Sequence, residues 1–80
     1  NIGEDVPEVL ACDLKVEQAG QVLLKEGIAH CESVRDYVSR DLLLKLLDET
    51  EEHIDHIETQ LGLIEQVGLA NYLQSQMDAS

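Results

Sequence analysis

The sequence predicts an all-α fold: a long antiparallel helical hairpin followed by a short third helix. Three observations carry that prediction. Apolar residues return every three or four positions along two long stretches, the spacing of one helix face. Strand-like alternation of β-branched residues is absent. Aromatic residues, which favour sheets, are limited to Tyr37 and Tyr72.

The first helix is expected over about 6–32. Pro7, the only proline, follows Asp5 and Val6, and an acidic cap with proline in the first turn is a helix start. From there a stripe runs through Leu10, Leu14, Glu17, Gln21, Leu24, Ile28 and Cys31. Gly20 and Gly27 each weaken this helix by up to about 1 kcal/mol relative to alanine, so packing has to hold it. The stretch "CESVRDYVSRD" carries the turn, with Ser33 and Ser39 as alternative caps. The second helix is expected over about 36–67, with its stripe at Leu43, Leu46, Thr50, His53, Ile57, Leu61 and Ile64. Gly68 reads as a stop, and "LANYLQSQMDA" as a short helix over about 69–77. Two helices of about 28 residues reach roughly 40 Å each. A hairpin of that length leaves an apolar stripe that only more helices cover, which predicts a four-helix bundle to which this chain supplies one half.

A chain of 80 residues struggles to bury a sufficient core alone. Its 17 acidic residues against five Lys and Arg leave a formal net charge of −12. That excludes nucleic acid and anionic membrane as partners, both of which need basic surface, and favours cations. No apolar run approaches the roughly 20 residues of a membrane span. Cys12 and Cys31 show no paired metal-knuckle spacing and read as small apolar residues in a reducing, cytoplasmic setting. A chain that begins at Asn1 is expected to be a fragment or a processed product.

Polar residues interrupt both stripes. Glu17 stands where the first helix should be apolar, and Thr50 and His53 where the second should be. A turn centred near about residue 35 puts Glu17 level with His53. A carboxylate at such a position needs a partner; a metal ion is one, and a Glu–His hydrogen bond is the plainer one. The segment "DETEEHID" around His53 is otherwise a solvated acidic face, with Glu49 and His53 at the i,i+4 spacing of an ordinary helix-surface pair. His30 and His56 read as ordinary, partly exposed side chains. No GxSxG, P-loop, HExxH or GxGxxG occurs, and Ser33, Ser39 and Ser75 lack a triad-like context.

The segments "NIGEDVPEVLACDLKVEQAG", "CESVRDYVSRDLL", "EEHIDHIETQLGLI" and "GLANYLQSQ" resemble the second half of the bacterioferritin family, without gaps over essentially the whole chain. The resemblance implies a ferritin-like four-helix bundle, of which this chain carries the third, fourth and fifth helices. It also implies a hollow, cytoplasmic cage of about 24 subunits that oxidises Fe(II) and stores ferric mineral. In such bundles each half contributes a lone Glu and a Glu-x-x-His to a di-iron centre. By that correspondence Glu17 is the lone Glu and His53 the His, both catalytic metal ligands, while Thr50 stands where the bridging Glu belongs. A neutral hydroxyl is a poor ligand and cannot bridge two irons. Glu49 lies about 100° round the helix from that position, and Glu51 points away as well.

The resemblance further implies that Asp55 and Thr59 line a pore between subunits, and that Asn71 and Gln74 line a four-fold channel. The haem b of the family sits between subunits on a Met of the missing half, so Met77 is not its ligand. The missing half comes from a second chain carrying the N-terminal helices, or from a second copy of this hairpin. Three readings follow: an Fe(II)-oxidising assembly, a storage subunit with an inactive centre, and a metal-free structural or oligomerising module.

Overall fold

The structure, a computed structural model, describes residues 5–79. Three helices follow one another, α1 (Val6–Ser33), α2 (Tyr37–Val67) and α3 (Leu69–Ala79). The first two lie against each other as the long antiparallel hairpin that the apolar periodicity predicts, and α3 returns against α2 but not α1. The molecule is a rod of 51 × 21 × 19 Å. Among the described residues no helix is long and apolar enough to cross a membrane.

The α1 helix opens with Pro7 in its first turn, where a missing N–H loses no bond. It closes in a Schellman arrangement. The amide of Asp36 donates to the carbonyl of Cys31 at 2.8 Å, and that of Arg35 to the carbonyl of Glu32 at 3.2 Å. Arg35 takes the left-handed conformation, φ 61°, that this closure requires. The next helix is capped by Asp36, whose Oδ1 accepts from the amide of Ser39 at 3.1 Å. Hydrogen bonding from the Ser39 hydroxyl, and then from its amide, holds the Asp36 carboxyl below its ordinary value of 3.8. Neither serine acts as the expected cap. Ser33 Oγ instead donates to the carbonyl of His30 at 2.6 Å, and Ser39 donates to the Asp36 cap.

The second junction works differently. Gly68 sits at φ 83°, ψ 153°, a region open essentially to glycine alone. Its amide donates to Ile64 and its carbonyl accepts from Tyr72, so α2 ends and α3 begins on the same residue. Tyr72 is buried and its hydroxyl donates to Oε1 of Gln60 at 2.7 Å, which docks α3 on α2.

Among the described residues the core is a narrow seam of Ile28, Cys31, Ile54, Ile57 and Tyr72, of which only Ile57 is fully enclosed, at 1% exposure. On α1 the expected stripe is the buried or half-buried one. On α2 it shifts: Leu46 and His53 are exposed, and Leu47 and Ile54 take their places in the seam. Neighbouring positions compete because a seven-residue step drifts on a 3.6-residue helix. The two apolar residues Leu47 and Ile54 win the seam. Cys12, expected to be a small apolar residue, is exposed on α1, while Cys31 is buried. Near the turn, a Cβ on Gly27 would stand 3.1 Å from Leu43 Cδ1, so the missing side chain lets α2 lean closely on α1.

Candidate metal half-site on the hairpin

Glu17 and His53 meet across the hairpin. The imidazole Nδ1 stands 3.2 Å from Oε1 of the carboxylate, an ion pair whenever the ring is protonated. A single short turn sets this register, and Gly27 against Leu43 obeys it too. One turn of α1 further along, Gln21 Nε2 donates to Oε2 of Glu51 at 3.1 Å. Glu51 therefore does not point away from α1 as the helix geometry suggests; its long side chain reaches back across the groove. Sequence reasoning placed Gln21 on the stripe but missed this contact, since two flexible side chains made it rather than a motif.

The pair is open on one side. The His53 side chain is 52% exposed and that of Glu17 is 27% exposed. His53 lies on the line of α2 that also carries Leu42, Leu46, Leu63 and Val67, all exposed. Val9, Val16 and Leu23, seven apart on α1, are exposed as well. Apolar surface of this kind flanking a polar pair is what a helical partner covers.

As a metal site the hairpin supplies two donors, Oε1 of Glu17 and Nδ1 of His53. Among the described residues no group of three or more His, Cys, Asp or Glu side chains is placed to hold a metal ion. Thr50, three residues before His53, is half-buried on α2 and brings a neutral hydroxyl. A centre of two bridged metals needs a carboxylate at that spacing. The residues present do not fit this half of such a centre. They offer one carboxylate oxygen and one imidazole nitrogen, the donors of a terminal ligand pair.

The other expected positions are spread along the rod. Asp55 and Thr59 are exposed on α2, away from the seam. Asn71 is exposed and its Nδ2 donates to the carbonyl of Val67 at 2.8 Å, satisfying one of the last acceptors of α2. Gln74 and Met77 are exposed on α3, and His30 and His56 are exposed near the turn and beside the pair. None of these joins Glu17 and His53.

Residues 1–67 match the family model of the ferritin-like domain. Over 77 residues, 95% of the chain, it is 57% identical to "Bacterial ferritin" of Synechocystis sp., covering 49% of that protein. It is 53% identical over 76 residues to "Bacterial ferritin" of Pseudomonas aeruginosa, spanning 94% of the chain and 49% of the relative. To "Bacterioferritin" of Brucella melitensis it is 44% identical over 73 residues, 91% of the chain and 45% of the relative. The chain thus spans about half the length of the curated relatives it matches. By the extent of these matches, the chain belongs to the ferritin family.

Proposed function

We propose that this chain is the C-terminal half of a bacterioferritin-type subunit, supplying the third, fourth and fifth helices of a four-helix bundle within a cytoplasmic iron-storage cage. Its substrate is Fe(II), and Glu17 and His53 are its share of the oxidation site. The observation that supports this most directly is the 3.2 Å meeting of Glu17 and His53 in a chain of this family. The exposed apolar residues beside the pair support a second half-bundle as the partner. That half is the N-terminal half of the bundle, or a second copy of the hairpin. Haem b belongs between subunits on the missing half, with no ligand from this chain. Asp55 and Thr59 line a pore between subunits that is a route for iron, and Asn71 and Gln74 line a four-fold channel.

Within this reading Glu17 supplies the charge that attracts Fe(II), and neutral imidazole at His53 supplies a borderline donor compatible with the ferrous state. Thr50 withholds the bridge. The assembled protein should therefore oxidise Fe(II) slowly, and Thr50→Glu should raise the rate at least tenfold. Stopped-flow oxidation of Fe(II) under air checks this; an unchanged rate and unchanged bound iron in Thr50→Glu would sink the ferroxidase assignment.

A second reading is that of a structural subunit that holds no metal of its own. It is favoured by the closure of the Glu17–His53 pair on itself and by the lack of a third ligand among the described residues. Iron at background levels in the purified cage, with assembly intact, supports it.

A further inference from the structure

We propose that Gly68 is a two-state hinge, and that straightening it lets α3 leave its own α2 and dock on the α2 of a second copy of this chain, giving an exchanged dimer.

The hydrogen bonds around the bend carry the first part. The amide of Gly68 donates to the carbonyl of Ile64 at 2.8 Å, and its carbonyl accepts from the amide of Tyr72 at 3.0 Å. Both are the i to i−4 bonds of an uninterrupted α-helix. The bend is thus made by the dihedral angles of one residue, φ 83° and ψ 153°. Helical angles there line up the amides of Leu69, Ala70 and Asn71 with the carbonyls of Glu65, Gln66 and Val67. In the bent form the last of those carbonyls already accepts from a substitute, Nδ2 of Asn71 at 2.8 Å. In the straight form the backbone amide of the same residue takes that acceptor, so Val67 is satisfied in both.

The contacts of α3 carry the second part. Among the described residues α3 packs on α2 and not on α1, so moving it disturbs one face only. On that face Tyr72 is buried with its hydroxyl on Oε1 of Gln60 at 2.7 Å, and Leu69 and Leu73 are half-buried. A lone chain that straightened would return these side chains to water. A second copy offers the same Gln60 on the same helix, and two copies that exchange α3 restore both sets of contacts around a two-fold axis. Exchange adds the three ladder bonds in each chain and is opposed by the entropy of association, so concentration sets the balance. A straight α2–α3 helix reaches roughly 65 Å, against 51 Å for the long axis of the bent rod.

The full chain is followed by light scattering over a concentration series and by hydrogen exchange at the amides of Leu69, Ala70 and Asn71. Straightening protects those three amides, whereas simple undocking strips protection from all of α3. Gly68→Ala penalises the bent conformation and favours the helical one. It should tighten the dimer at least about tenfold and protect 69–71 in step with dimer formation. Asn71→Ala removes the substitute donor and should shift the balance the same way by about threefold. Tyr72→Phe removes a bond common to both forms and should leave the dimer constant within about twofold. Exchange itself is read by mixing isotope-labelled and unlabelled Gly68→Ala chains, where the Tyr72 ring of one should show nuclear Overhauser contacts to Gln60 of the other. A monomeric Gly68→Ala, or a dimer without protection at 69–71, overturns the hinge. Protected 69–71 amides without contacts between labelled Tyr72 and unlabelled Gln60 overturn the exchange. If Gly68→Ala does not fold, the same readouts on Asn71→Ala decide, and an unshifted balance there sinks the proposal.

Discussion

The two junctions of the rod solve one problem in different ways. Both need a residue with positive φ, Arg35 at 61° and Gly68 at 83°. At the first, a non-glycine residue is held left-handed by two backbone bonds behind it and by the Asp36 cap ahead of it. At the second, the residue type itself permits the conformation, and the buried Tyr72 holds the next helix in place. The first junction is over-determined by hydrogen bonds, the second by one glycine and one aromatic ring. That difference decides where a substitution does damage.

The largest effect is expected at the second junction. Tyr72→Ala removes the buried ring and its bond to Gln60, at a cost of about 3 kcal/mol. Hydrogen exchange should show α3 amides losing protection while α1 keeps its own. Gly68→Ala forces a side chain into the glycine-only region and should cost about 1–3 kcal/mol, read as a lower urea midpoint. A midpoint unchanged by that substitution would mean that α3 can leave α2 by another route. At the first junction Arg35→Gly should raise stability by about 1 kcal/mol, because the left-handed conformation is then free of its steric cost. The smallest effect belongs to Asp36. Its carboxyl titrates below the ordinary 3.8 in the folded chain, so its contribution is fully present above that value. It fades as the pH falls from there through the lowered folded value. Asp36→Asn keeps the cap and should flatten that part of the acid-unfolding profile, as followed by circular dichroism.

The helices and the pairing of Glu17 with His53 were legible because each depends on spacing alone. Pro7 marks one start, Gly68 one stop, and a short turn leaves a single register. The choice between Leu46 and Leu47 was not legible, since both are leucines and only the drift of the seam separates them. His53 against Ile54 failed for a related reason: a stripe drawn for a full bundle includes positions that a hairpin alone leaves outside. The turn was obscured by two serines that look like caps, and no glycine marks Arg35, whose conformation is set by backbone bonds. Tyr72 with Gln60 and Gln21 with Glu51 are contacts between long side chains, visible only once the backbone is placed. Thr50 is the reverse case: its geometry is ordinary, and only the two-metal ligand pattern gives its neutral hydroxyl a meaning.

The brevity of the link from Val34 to Asp36 also has a kinetic consequence. A chain reversal this short closes with little entropic delay, so the hairpin can form outward from it, with Ile28 and Cys31 engaging first. Glu17 and His53 stand far from that nucleus and would meet late. Substitutions at the pair should accordingly change the unfolding rate and leave the folding rate nearly untouched, while substitutions at Ile28 slow folding itself. The chemistry of this hairpin is then free to vary without altering how fast its scaffold forms.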